Sequence, residues 1–210
     1  MAVNYQHALD EALRGIKDSG DPKRLLLHSC CGPCSSYVLE YLSRYFEIAV
    51  LYYNPNIWPE SEFMKRAAVQ RELVARMTLP NPVTLIAADY RPGEFDRAAA
   101  GLENEPEGGK RCRSCFALRL EEAAVYAKAH GFDYFTTTLS VSPHKDAAAL
   151  NELGGGLALK HGVKFLFADF KKRNGYRRSV ELSEQYGLYR QSYCGCRYSL
   201  EAGSGGRSAG

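Results

Sequence analysis

The sequence predicts an α/β fold: a single domain with a mostly parallel sheet flanked by helices, in a Rossmann-like three-layer arrangement. Three observations carry that expectation. Helical and strand patterns alternate roughly five times, as a parallel sheet with helices on both faces requires. The first strand pattern, Leu25–Leu27, is apolar at consecutive positions, which suits a strand covered on both sides. At 210 residues and 45% apolar content the chain can bury one sizeable core.

Residues 4–18 read as a helix because Leu9, Leu13 and Ile16 form an apolar stripe, with Gly20 and Pro22 beyond its end. After the strand at Leu25–Leu27, Ser35–Tyr45 is expected to be helical and Ile48–Tyr53 a second strand. Pro55 and Pro59 remove backbone donors and restrict their predecessors, so residues 54–59 form a turn. A longer helix from Glu60 to Met77 sets Phe63, Ala67, Gln70, Val74 and Met77 on one face. Val83–Ala87 is a third strand, Glu94–Gly101 a short helix and Glu103–Lys110 a polar loop. A helix starting near Cys112 aligns Phe116, Leu120, Ala123, Ala124 and Ala127, and Gly131 ends it before a strand at Phe132–Thr137. Residues 146–161 read as helical despite the costly Gly154–Gly156 run, and Phe165–Phe167 as the last strand. The expected organisation is an N-terminal helix and linker over 1–22, one domain over 23–200 and a disordered Gly/Ser-rich tail over 201–210.

The N-terminal 21 residues carry Asp10, Glu11, Lys17 and Asp18 and no apolar signal core, and no apolar run reaches membrane-spanning length. The expected compartment is the cytoplasm, with no membrane partner. Close-set cysteines there more often serve metal or redox chemistry than structural bridges. A formal net charge of +3 does not point to nucleic acid. Locally, Lys171, Lys172, Arg173, Arg177 and Arg178 fall in a stretch without an acid. That run reads either as a solvated basic loop or as a phosphate-facing patch.

The seven cysteines fall in three groups: Cys30, Cys31 and Cys34; Cys112 and Cys115; Cys194 and Cys196. Loops at the carboxyl ends of neighbouring parallel strands converge, so groups far apart in sequence can share one site. Adjacent Cys30 and Cys31 can share a metal only if the chain turns, which Gly32 and Pro33 favour. Cys112 and Cys115 sit near a helix start, where backbone N–H groups favour thiolates. Spacing alone leaves an iron–sulfur cluster, a zinc site and plain core packing open. Cys194 and Cys196, one residue apart, can close into a strained and easily reduced disulfide, or stand as inert thiols.

Asp89 follows the third strand and Asp169 the last, so either could act as a proton donor or simply cap a loop. Residues 136–145 form an unusually polar connection that includes His144 and Lys145. Tyr189 and Tyr193 could stack on a nucleobase and Arg190 could hold a phosphate; packing over the core is the plainer alternative.

Six ordered segments resemble the cluster-containing epoxyqueuosine reductase family QueH: LHSCCGPCS at 27–35, YNPNIWP at 53–59, RCRSCFALRL at 111–120, TTTLSVSPHK at 136–145, ADFKK at 168–172 and YRQSYCGCRYS at 189–199. The resemblance spans about residues 24–199 and every cysteine. It implies reduction of epoxyqueuosine to queuosine at the wobble position of tRNA, without cobalamin. It further implies that Cys30, Cys31, Cys112 and Cys115 hold a [4Fe–4S] cluster, making 23–200 the iron–sulfur catalytic domain. Cys194 and Cys196 become the redox-active pair, with an additional iron ion beside the cluster and Cys34 as its provisional ligand. On that reading Asp89 or Asp169 protonates the departing oxygen, and a low-potential electron donor supplies the enzyme. Lys171, Lys172, Arg173, Arg177, Arg178 and Arg190 contact the tRNA phosphates. The alternatives are a zinc-stabilised RNA-binding module, a tRNA sulfur-transfer enzyme, which would need a glycine-rich phosphate loop, and a simple thiol–disulfide exchanger.

Overall fold

Leu25 and Leu27 point into one apolar layer and Leu26 into the other, so the leucine run is buried on both sides of the sheet. The structure, a computed structural model, describes residues 3–18, 20 and 23–205. Its elements in chain order are α1 (Tyr5–Asp18), β1 (Lys23–His28), α2 (Gly32–Leu42), β2 (Phe46–Tyr52), α3 (Glu60–Arg76), β3 (Val83–Ala87) and α4 (Pro92–Ala99). They continue with α5 (Lys110–Ala129), β4 (Tyr134–Thr137), a 3-10 turn (Thr138–Val141), α6 (Ala147–His161), β5 (Lys164–Phe165), α7 (Gly175–Gln185) and α8 (Arg197–Gly205).

The five strands are all parallel, in the order β3-β2-β1-β4-β5. Helices α1, α2 and α3 bury their apolar faces in one layer, where Leu9, Leu13 and Ile16 join Leu39 and Leu73. Helices α5 and α6 cover the other face through Phe116, Leu120, Ala123 and Leu150. The fold is thus Rossmann-like and three-layered. The chain moves outward from β1 to β3, then returns to the opposite side of β1 with β4. Strand order therefore reverses between β1 and β4, and that reversal opens a crevice at the carboxyl ends of the strands.

Several elements depart from the sequence expectation. Helix α2 starts three residues early, at Gly32, because Pro33 fits the first turn and Gly32 packs against α3. A Cβ on Gly32 would lie 2.8 Å from Val69 Cγ1. Strand β5 keeps only Lys164 and Phe165; the Leu166 amide still donates to the Phe135 carbonyl at 2.9 Å, but Phe167 turns out and stacks near Tyr5. The Gly154–Gly156 run stays helical for a packing reason. A Cβ on Gly154 would sit 2.4 Å from the Phe165 ring, so close helix–sheet approach offsets the roughly 1 kcal/mol helix cost of glycine. Helices α7 and α8 were not foreseen, and α8 extends through Gly205 into the expected tail. Residues 206–210 of that tail lie outside the described residues.

Candidate cysteine-lined active site

The loop leaving β1 is braced from below. Gln70 Oε1 accepts from the hydroxyls of Ser29 and Ser35, both at 2.8 Å, and Asn54 Nδ2 donates to the Ser29 carbonyl at 2.8 Å. Held this way, the chain turns between Cys30 and Cys31, and α2 begins at once. The sulfurs of Cys30 and Cys31 lie 3.7 Å apart. Those of Cys30, Cys31 and Cys34 all fall within 4.8 Å of one another, a group able to hold a metal ion. Cys30 is the thiolate of this trio: hydrogen bonds from Cys31 and Cys34 hold its pKa well below that of an ordinary thiol. The same bond pushes Cys31 up to about 12 and raises Cys34.

Cys112 and Cys115 occupy the first turns of α5, both buried on the face that carries Phe116 into the core. The Gly108 amide donates to Cys112 Sγ at 3.2 Å. The helix start was expected to favour thiolates here, but at Cys115 burial wins and pushes the thiol up to about 11.

One turn beyond Cys115 stands Arg119, 2% exposed and pointing at the cysteines. Its Nη1 lies 3.9 Å from Cys115 Sγ and its Nη2 donates to Asn54 Oδ1 at 2.8 Å. Its Nε lies 3.3 Å from His28 Nε2. Burial, with the Arg119 charge beside it, pushes His28 down to about 3, so that ring is neutral. Among the described residues no carboxylate pairs with Arg119. Burial works against its charge, and the neighbouring Cys115, Cys30 and Cys194 outweigh it and raise its pKa.

Cys194 and Cys196 come from a strap between α7 and α8. Arg66, buried and paired with Glu62 at 2.7 Å, donates through Nη1 to the Cys194 carbonyl at 3.1 Å, and the Trp58 amide donates to the Gly195 carbonyl at 2.8 Å. Gly195 has φ +121°, and a Cβ there would meet Arg66 Nη1 at 3.0 Å, so the strap needs glycine. Cys194 is held as a thiolate by a hydrogen bond from Cys196 and by the charges of Lys145 and Arg119; Cys196 is raised by the same bond. Cys196 packs with Cys115 and Phe95, so the second and third cysteine groups touch one apolar cluster.

The first and third groups meet a cavity of about 990 Å³ lined by Cys30, Cys34, Arg119, Lys145, Arg190 and Cys194, among others. Cys112 and Cys115 do not line it but lie behind it, Cys112 packed with Cys30 and Cys115 with Cys196. The structure does not bring Asp89 or Asp169 there. Asp89 is 89% exposed beside Arg91, and Asp169 is tied to Lys171 at 2.8 Å; neither lines the cavity. Strand-end position put both on the correct rim but could not give their side-chain direction. Lys145 does reach the cavity, as do His144 and Glu107; Lys145 is hydrogen-bonded to Cys194 and lies 3.6 Å from Glu107, and the charges of both raise its pKa against the effect of burial.

The basic run is also placed differently from a free phosphate patch. Arg173 pairs with Asp10 at 2.5 Å, and Arg178 with Glu40 at 2.7 Å and Glu181 at 3.2 Å. Arg177 pairs with Glu181 at 3.1 Å and Lys171 with Asp169; Lys172 is exposed. Of the expected RNA contacts, Arg190 lines the cavity, with Tyr193. Tyr189 stands apart, its hydroxyl on Glu62 and its ring under Lys65 Nζ at 3.4 Å. Sequence reasoning passed over Arg119. The signal was present, since an arginine four residues after Cys115 falls on the stripe otherwise occupied by Phe116, Leu120 and Ala123.

A family model described as epoxyqueuosine reductase QueH matches residues 25–202. The chain is 43% identical over 201 residues to the epoxyqueuosine reductase QueH of Streptococcus pyogenes serotype M1, covering 95% of this chain and 79% of that protein. It is 43% identical over 201 residues to the protein of that name from Staphylococcus epidermidis, covering 94% and 84%. Its identity to the Thermotoga maritima protein of that name is 35% over 182 residues, covering 84% and 90%. No helix among the described residues is long and apolar enough to cross a membrane.

Proposed function

The chain belongs to the epoxyqueuosine reductase QueH family, and from that premise we propose that it is the oxidoreductase that converts epoxyqueuosine to queuosine at the wobble position of tRNA. The reaction removes the epoxide oxygen as water and leaves a carbon–carbon double bond, consuming two electrons and two protons. Cys30, Cys31, Cys112 and Cys115 would hold a [4Fe–4S] cluster, and Cys34 would be a ligand for an additional iron.

The observation that supports this most is Arg119. A buried charge without a partner costs about 3–5 kcal/mol, yet this guanidinium has no acid beside it among the described residues and faces thiols instead. A four-thiolate iron–sulfur centre is a net anion and would add to the thiolate charge that Arg119 already faces. The sulfurs of Cys30, Cys31 and Cys34, all within 4.8 Å of one another, add a donor set suited to a soft metal, with Cys30 and Cys31 belonging to the cluster set and Cys34 free for the additional iron. When bound, the metal centre supplies single electrons and Lewis acidity toward the epoxide oxygen.

The remaining work falls to the chain's own side chains. Arg119 balances thiolate charge in a site shielded from water. Lys145, held protonated beside Cys194, carries the proton at Nζ that the departing oxygen needs, and so takes the role first considered for Asp89 and Asp169. Closing a disulfide between the Cys194 thiolate and the Cys196 thiol releases two electrons and one proton, and the Lys145 proton completes the two that the reaction takes up. A low-potential electron donor then reduces the pair again. Arg66 and the Trp58 amide hold the strap so that Cys194 faces the cavity.

The test is anaerobic incubation of the cluster-loaded protein with a reductant and tRNA carrying epoxyqueuosine, followed by mass analysis of the released nucleosides. The expected product is one oxygen lighter. A fully loaded protein that leaves epoxyqueuosine unchanged would overturn the assignment.

A further inference from the structure

The turn that launches α7 is unusually costly. Arg173 and Asn174 both adopt the left-handed region, at φ 52° and 63°, although neither is glycine. Gly175 follows in a space that admits no side chain: a Cβ there would lie 1.9 Å from the Phe170 carbonyl oxygen and 2.4 Å from the Tyr37 ring. This backbone delivers Tyr176 to the cavity wall with 42% of its surface exposed. The hydroxyls of Tyr189 and Tyr193 are both hydrogen-bonded, whereas that of Tyr176 has no hydrogen bond among the described residues. The Arg190 guanidinium stands 5.9 Å from the Tyr176 ring centroid and is tied to the same helix through Ser183 Oγ at 3.0 Å. On the same cavity wall, Gln191 Oε1 is buried without a hydrogen-bond partner among the described residues.

An exposed ring beside a fixed cation and an orphaned acceptor is an arrangement that suits a nucleobase. Single-stranded RNA loops are recognised by stacking unpaired bases on aromatic rings and bonding their edges. A cavity of about 990 Å³ lies at the upper end of the range for small-molecule sites. We propose that Tyr176 is the platform on which a base of the tRNA anticodon loop stacks as the modified nucleoside enters, with Gln191 Oε1 accepting from an N–H or hydroxyl of that loop. This rests on the reductase reading above and names the residues that bind its RNA substrate.

The experiment measures binding and KM of the cluster-loaded enzyme with an anticodon stem-loop carrying epoxyqueuosine. Tyr176→Ala should raise Kd about tenfold or more, given the usual strength of base–aromatic stacking, while cluster absorbance stays at the wild-type level. Tyr176→Phe should bind as the wild type does, and Tyr176→Leu should fail to restore binding, because the ring and not its bulk is required. Gln191→Leu should weaken binding about fivefold, the loss of one hydrogen bond. Wild-type Kd in Tyr176→Ala, or equal losses in the Phe and Ala variants, would overturn the platform alone. A loaded wild-type enzyme that neither binds nor converts the stem-loop would overturn the reductase reading and the platform with it.

Discussion

Positive charge is placed in opposite ways in two parts of this molecule. The run from Lys171 to Arg178 is conspicuous in the sequence, yet in the structure Lys171, Arg173, Arg177 and Arg178 each have an acidic partner. Arg119 is a single arginine inside an apolar helix stripe, and it is buried with no acid beside it among the described residues. Exposed ion pairs are worth about 0–1 kcal/mol each, whereas an unanswered buried charge costs several. The lesson is that a cation signals an anionic ligand by lacking a partner, not by having cationic neighbours.

The sharpest way to break this comparison is to remove the anion that Arg119 answers. Cys112→Ser should abolish most of the cluster absorbance and bound iron; full retention would end its role as a ligand. Next comes the redox pair. Cys194→Ser should lose multiple turnover while keeping the absorbance, and loss of iron instead would make Cys194 a ligand. Arg119→Gln should make the cluster harder to reduce, lowering its midpoint by about 60 mV, a tenfold change for a one-electron couple. An unchanged midpoint would show that Arg119 does not act on the metal centre. Because the Cys194 pKa is depressed, its thiolate persists as pH falls, so its alkylation rate should fall off at a lower pH than that of an ordinary thiol. The smallest effect is expected in the basic run. Neutralising Lys171, Arg177 and Arg178 together should flatten the salt dependence of tRNA binding by less than one unit of slope, because a phosphate contact contributes about 0.9 each. A change near three units would restore the run as the RNA interface.

The layering of the fold was legible because helix and strand periods are local properties. Leu9, Leu13 and Ile16 on α1, and Phe116 to Ala127 on α5, fall where their spacing put them. Helix α7 was hidden because its start depends on a left-handed turn that Asn174 tolerates but Arg173 does not favour, and because its charges suggested a loop. The three cysteine groups were visible as groups, and their meeting followed from parallel topology. Side-chain direction was not visible. That is why Asp89 and Asp169 were chosen from strand ends, while Lys145 was named in the polar connection without a role and Arg119 was passed over.

The most direct test of the central claim, that these cysteines build an iron–sulfur centre around a buried cation, is metal and acid-labile sulfide analysis of the protein purified without oxygen. The account predicts roughly four iron and four sulfide per chain, with any further iron dependent on Cys34. Stoichiometric zinc with no labile sulfide would contradict it.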